Sequence, residues 1–481
     1  MNVTRVMLGI HPEGFSWPLA GGESFQTPEA VLVYSDKGLS GMSRAYHKLY
    51  STRLVRGYWR DHERPILLNN WEATTFAITE EKMLQIAGKA HELGIDLFVM
   101  DDGWFGARNH DHAGLGDWTP NYEKLPSGVK GLAEKVEAMG MRFGLWFEPE
   151  MVNEDSDLFR THPDWILHVP ERPGHLIRHQ YVLDFSRRDV MENLYRQMSA
   201  ILREAPISYV KWDMNRSMSE VYSAALPPEQ QGTVYHRFIL NVYALYERLR
   251  NEFPGILFES CAGGGSRFDP GMLYYAPQAW TSDDTDAMER VRIQYGASVV
   301  YPLSSLGAHV SAVPNHQLHR ITSIKARADV AYFGTFGYEL DPNLLSGEEQ
   351  EAIRHQVAFM KRWRRLIHQG DLYRQINPYD HDGEGAWMVV GADRREAIVA
   401  YYRFRQHVSA PLTRLPLQGL DPGLDYHILY SGETELPEPM GGDELMHYGL
   451  ITSDYPSEIA NPAYEPGEGD YLSRIYILKA D

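Results

Sequence analysis

Leu97-Phe98-Val99-Met100-Asp101-Asp102-Gly103-Trp104 is an unbroken apolar run that closes on two carboxylates, a glycine and a tryptophan. A short run that is apolar at consecutive positions predicts a strand buried on both faces, as in a parallel sheet covered by helices. Its polar end marks the carboxyl edge of that sheet, where the ligand sites of α/β folds lie.

Outward from this stretch the pattern repeats. Apolar runs at 66–71, 97–102, 142–147, 181–185, 209–213, 256–260, 278–283 and 299–305 alternate with amphipathic segments. Helices are expected at 187–205, 234–253 and 319–333, and Thr79-Glu80-Glu81-Lys82 reads as a capped start of another that closes at Gly94. Eight strand–helix units over about 300 residues fit a (β/α)8 barrel, and no dinucleotide-type glycine fingerprint follows the first strand to favour an open doubly wound sheet. The barrel is assigned to 61–375. After it, short alternating segments broken by Gly, Pro, Asp and Asn predict an antiparallel β-sandwich over 376–481, in which Gly441-Gly442-Asp443-Glu444-Leu445 reads as structural. Residues 1–60 read as the last part of an N-terminal β domain, with strands at 8–17 and 30–34 and a helical connector at 40–50.

Composition bounds the function. A chain of 481 residues exceeds one usual hydrophobic core, which predicts two or three domains. No stretch approaches the roughly 20 apolar residues that cross a bilayer, and the first residues lack a secretion-signal pattern. The single cysteine, Cys261, has no partner for an internal disulfide, which fits a reducing, cytoplasmic setting. A net charge of -19 spread along the chain argues against nucleic-acid partners. Eleven tryptophans and 29 tyrosines suit cores first, and sugar faces second.

The strand ends carry the chemistry: Trp71-Glu72, Asp101-Asp102, Trp146-Phe147-Glu148-Pro149-Glu150, Lys211-Trp212-Asp213-Met214-Asn215, Glu259-Ser260-Cys261 and Trp280-Thr281-Ser282-Asp283-Asp284-Thr285-Asp286. Any one carboxylate there equally suits helix capping, which remains the reading for Asp284 and Asp286. Capping does not ask for tryptophan and lysine beside the acid, so their recurrence points to a sugar site. Glycoside hydrolysis needs two carboxyl groups. Asp213 is the nucleophile candidate because Lys211, two residues earlier, faces the same way and favours its ionised form. Asp283, within a run of acids that raises proton affinity, is the acid/base candidate. Asp101, Asp102 and Lys211 suit sugar hydroxyls, with Trp71, Trp146 or Trp280 as walls. Gly263-Gly264-Gly265 allows close approach of backbone to a ligand or is a flexible turn. Cys261 has no histidine beside it to make a catalytic thiol. A metal centre from His110, Asp111 and His112, or from His309, His316 and His319, is the weaker alternative, since both groups fall in polar loops.

These motifs, with Asn70-Trp71-Glu72-Ala73-Thr74 and Leu115-Gly116-Asp117-Trp118, resemble glycoside hydrolase family 36, the bacterial α-galactosidases, from about residue 9 onward. The resemblance implies Asp213 as nucleophile and Asp283 as acid/base of a retaining double displacement. It also implies that Trp71, Asp101, Asp102, Trp146, Arg178, Lys211, Asn215, Cys261, Gly263 and Trp280 contact a terminal galactose. Substrates would be α-1,6-linked galactosides such as melibiose and raffinose, with no cofactor or metal. Family members carry a larger N-terminal β-sandwich that helps tetramers assemble, so the expectation is a shortened front and an altered homo-oligomer. Galactosyl transfer to another sugar, and galactoside binding without turnover, stay open as alternative functions.

Overall fold

The computed structural model describes residues 3–380, 383–406, 414–430, 434–435, 438–452 and 469–480. Eight parallel strands close into a barrel in chain order: β1 (Leu67–Asn69), β2 (Leu97–Met100), β3 (Arg142–Phe147), β4 (Ile207–Trp212), β5 (Leu257–Ser260), β6 (Gln278–Trp280), β7 (Leu306–Ser311) and β8 (Thr335–Glu339). β1 pairs with both β2 and β8, so no strand edge is left open. β2 is buried at all four positions, which is why its sequence is apolar throughout rather than alternating.

The expected barrel is therefore present, with two corrections to its strands. The fourth expected run, 181–185, lies outside the barrel: Tyr181–Val182 pairs antiparallel with Met151–Val152 above β3. Its apolar residues bury against that small ribbon, and the true fourth strand is the run expected as the fifth. The eighth expected run, 299–305, is a turn followed by a 3-10 turn at Leu303–Ser305 after Pro302. β7 and β8 follow it. Each contains a glycine, second in β7 and central in β8, which reads as a breaker in sequence and here marks close approach. A Cβ on Gly307 would stand 2.9 Å from the Trp280 ring, and one on Gly337 2.8 Å from the His309 ring. The helix expected at 319–333 is shorter, Ile324–Ala331, and its start is set by the cap Ser323, which accepts from Ala326 N at 3.1 Å.

The other expected helices form at Glu80–Glu92, capped by Thr79, at Arg188–Glu204 and at Val234–Glu252. The C-terminal part is an antiparallel sheet built on β9 (Asp371–Ile376), β10 (Glu384–Val390), β11 (Glu396–Arg403), β12 (Asp425–Tyr430) and β13 (Leu472–Ala480). Alternation gives it two apolar faces. Trp387, Val389, Ile398 and Ile477 join the barrel core, whereas Met388, Val399, Tyr401 and Leu478 form a second core with Leu415, Leu445 and Leu450 of a covering ribbon and short helix. Residues 453–468 of the expected sandwich, and residues 1–2, lie outside the described residues. The connector helix forms at Gly38–Leu49, but the strands expected at 8–17 and 30–34 do not: among the described residues no strand precedes Leu67. That segment instead docks through Phe15, Trp17 and Phe25, whose rings pack around His236.

Candidate active site

β4 sorts its side chains by alternation. Trp212 turns outward, stacks on Tyr246 at 4.0 Å and donates to Glu150 at 2.8 Å, while Lys211 and Asp213 face the barrel mouth. The backbone N–H of Asp213 still bonds Phe147 O at 2.8 Å, so the carboxyl group leaves from the last rung of the ladder. Four donors converge on it. Met214 N (2.8 Å) and Gly263 N (3.4 Å) donate to Oδ1, and Asn215 Nδ2 (2.8 Å) and Trp146 Nε1 (3.3 Å) donate to Oδ2. Asp213 is only 6% exposed, and this cradle fixes the direction its oxygens face.

Lys211 faces the cavity on the same side as Asp213, as its spacing predicts, and the Asp213 charge is among those that favour its ammonium. Its ammonium pairs with Asp101 Oδ2 at 2.8 Å rather than with Asp213. Burial opposes its charge, but Asp101, Glu339 and Asp213 around it outweigh burial and hold its proton firmly. Asp101 also accepts from Asn69 Nδ2 at 2.6 Å. Asp102 is gripped by Arg108 through Nε at 2.9 Å and a second guanidinium nitrogen at 2.8 Å; burial raises its pKa, and Arg108 counters.

Asp283 follows β6, two strands round from Asp213. A single side-chain N–H reaches it, from Trp280 at 3.1 Å. Trp280 is itself clamped between the His309 ring at 4.4 Å and the Arg290 guanidinium at 4.1 Å. The Asp283 side chain is exposed to the open cavity, with protein atoms packed closely around its base. Burial, then the charge of Asp213 across the site, raises its pKa. The cause is thus not the neighbouring run of acids. Asp286 caps the helix Ala287–Ala297, accepting from Met288 N at 3.0 Å and Glu289 N at 3.1 Å, while Asp284 accepts from Asp286 N and is not the cap.

Trp71, Asp101, Asp102, Trp146, Arg178, Lys211, Asp213, Asn215, Trp280 and Asp283 all line one cavity of about 230 Å³ at the carboxyl end of the barrel. That volume suits one small polar unit rather than a long chain. A larger cavity of about 670 Å³ lies between helix Gly347–Gln369 and β13, but it gathers no comparable set of carboxylates. Cys261 and Gly263 are not on the cavity wall. Cys261 is buried, and burial followed by Asp213 pushes its thiol pKa up. Gly263 reaches the site only through its N–H on Asp213. The glycine loop has another reason for its composition: a Cβ on Gly264, whose φ is +86°, would fall 2.6 Å from Ser282 Cα, so the loop passes directly against the Asp283 segment.

Several residues of the cavity wall, and Glu148 behind it, were not singled out by sequence. Glu72 accepts from Thr285 Oγ1 at 2.6 Å and Ala312 N at 3.0 Å and pairs with His316 at 3.4 Å, which raises the histidine's pKa. Glu339 bonds His309 at 3.0 Å on the floor. Glu148, fully buried behind Asp213, bonds the Asn215 N–H, and burial followed by Asp213 pushes its pKa up to about 8. Glu72 and Glu148 stood within the strand-end motifs, but their partners come from other strands. His309 and His316 are taken up by Glu339 and Glu72 separately, and do not form the metal group considered from sequence.

Comparison with known proteins matches the Melibiase family over residues 24–370 and the glycosyl hydrolase family 36 C-terminal domain over 384–478. The chain is 54% identical over 479 residues to α-galactosidase AgaA of Geobacillus stearothermophilus, and 45% identical over 481 residues to α-galactosidase 1 of Pediococcus pentosaceus. In each case it is covered completely and spans 63% of the relative's length. The crystal structure of AgaA superposes with a TM-score of 0.93 at 53% identity, covering 98% of this chain and 63% of that one. Variants of AgaA have also been crystallised with raffinose and with stachyose.

Proposed function

The chain belongs to the Melibiase family of glycoside hydrolases, and from that premise we propose that it is a retaining α-galactosidase, with Asp213 as nucleophile and Asp283 as general acid/base. The observation that carries the reading is the pair of carboxylates facing one cavity in opposite surroundings, one cradled by four donors, the other reached by one N–H and raised in pKa. Asp213 attacks the anomeric carbon while the protonated Asp283 gives its proton to the leaving glycosidic oxygen. A covalent galactosyl-enzyme forms, and Asp283 then takes a proton from the water that releases galactose with its configuration retained. Asp101, Asp102, Lys211, Arg178 and Asn215 supply hydroxyl contacts, and Trp71, Trp146 and Trp280 supply apolar walls. Cys261 and Gly263 act on the sugar's surroundings through Asp213. The substrate class is terminal α-1,6-linked galactose of melibiose and raffinose type, supported by the raffinose and stachyose complexes of the AgaA variants. We place the protein in the cytoplasm on its one cysteine, which is buried and free. Among the described residues no helix is long and apolar enough to cross a membrane.

The test is nitrophenol release from p-nitrophenyl-α-D-galactoside, with Asp213→Ala in parallel. Turnover in the parent alone supports the reading; a folded parent without turnover, or equal turnover in both, refutes it. Product analysis at high galactoside concentration separates hydrolysis from transfer, because transfer yields oligosaccharides in excess of free galactose.

A further inference from the structure

Asp111 and His112, in the loop after β2, meet His179 at the rim of the cavity. One oxygen of Asp111 and one ring nitrogen of each histidine lie within 4.8 Å of one another. The two imidazole rings stack at 3.5 Å, and His112 Nε2 stands 3.2 Å from Asp111 Oδ1. His179 comes from a distant loop, so something must hold the two segments together. Asn153 does. Fully buried, it donates through Nδ2 to both Asp111 O (3.2 Å) and His179 O (2.8 Å), while its Oδ1 accepts from Leu115 N (2.9 Å) and Arg108 (3.2 Å). One locked amide thus ties the backbones of the cluster to the arginine that grips Asp102.

We propose that Asp111, His112 and His179 form a binding site for a transition-metal dication of the zinc type at the mouth of the cavity. Two imidazoles and one carboxylate are a borderline donor set, which favours zinc, copper or nickel over magnesium or calcium. Bonds of about 2.0–2.2 Å in a tetrahedral shell place ligand atoms about 3.3–3.6 Å apart, so binding closes the cluster by up to about 1.5 Å. The exposed rings turn out of their stack to supply it, and the backbones beneath are already fixed. Three protein ligands leave at least one position for water or another group. Asp111 also lines the cavity, so the ion stands beside the path into it.

The experiment is calorimetric titration of the full chain with zinc chloride in chelator-free buffer, alongside the double variant His112→Gln/His179→Gln and a melting curve for each. The proposal expects one saturable zinc site per chain, weakened at least about tenfold in the double variant. It also expects a zinc-dependent rise in Tm that only the parent shows. Absence of saturable zinc binding overturns it, as does equal binding by the parent and a double variant that melts as the parent does. If the double variant melts early, Asp111→Asn replaces it and the same two outcomes decide. Magnesium binding as tight as zinc would also overturn the assignment, because imidazole ligands would then contribute nothing.

Discussion

Asp213 at the end of β4 and Asp283 beyond β6 are the same residue type facing the same cavity, and their surroundings differ in almost every respect. Asp213 has two backbone and two side-chain N–H groups on its oxygens, from β3, its own loop and the β5 loop. Asp283 has one tryptophan N–H, and Asp213 is the charge that most raises its pKa. Donors on every lone pair suit a carboxylate that must stay charged and aimed. A carboxyl at the open cavity with few donors and a negative neighbour suits one that must hold a proton and release it. On the proposed reading, the two roles of one chemical group follow from where the strands place N–H groups.

Removing the first carboxyl breaks the comparison most severely. Asp213→Asn keeps the shape and the hydrogen-bonded loop yet loses the attacking charge, so kcat on every galactoside should fall at least about 10⁴-fold, read by steady-state kinetics. Asp283→Asn should cost about 10²–10⁴-fold on raffinose, whose leaving oxygen needs a proton, and far less on p-nitrophenyl galactoside, whose leaving group does not. Equal losses on the two substrates would erase the distinction between the carboxyls. The raised pKa of Asp283 adds a sign: the parent's kcat/KM should decline as pH rises through that pKa, because the acid form is the working one.

Smaller changes sharpen the contrast. Glu148 holds a proton in the folded chain up to about pH 8, against an ordinary value of 4.5 when unfolded. A folded pKa above the unfolded one means stability that is full below about 4.5 and is lost as pH rises through about 8. Tm should therefore fall between pH 5 and 9, and Glu148→Gln should flatten that fall. Asp286→Ala, which removes a helix cap beside Asp283 without touching either carboxyl, should cost about 1 kcal/mol in chemical denaturation.

The features legible in sequence were those written along one strand. Carboxylates closing apolar runs located Asp101, Asp102, Asp213 and Asp283, and period-two alternation put Lys211 and Asp213 on one side. What depends on closure of the barrel was not legible. Glu72 and His316 meet because the start and end of the barrel adjoin, and Lys211 chooses Asp101 because β2 and β4 both face inward. β7 and β8 are illegible in sequence for a related reason: Gly307 and Gly337 give way to Trp280 and His309, a packing demand set by neighbouring strands. The run 181–185 carries the apolar content of a barrel strand but spends it on a ribbon with Met151–Val152. Composition alone does not distinguish those two destinations.

The most direct test of the central claim is proton NMR of the first turnovers on p-nitrophenyl-α-D-galactoside. Nucleophilic attack by Asp213 followed by water predicts α-galactose as the first sugar released, with the β anomer growing in later by mutarotation. β-Galactose appearing first would mean that water attacks directly, and would contradict the assignment of Asp213 as nucleophile.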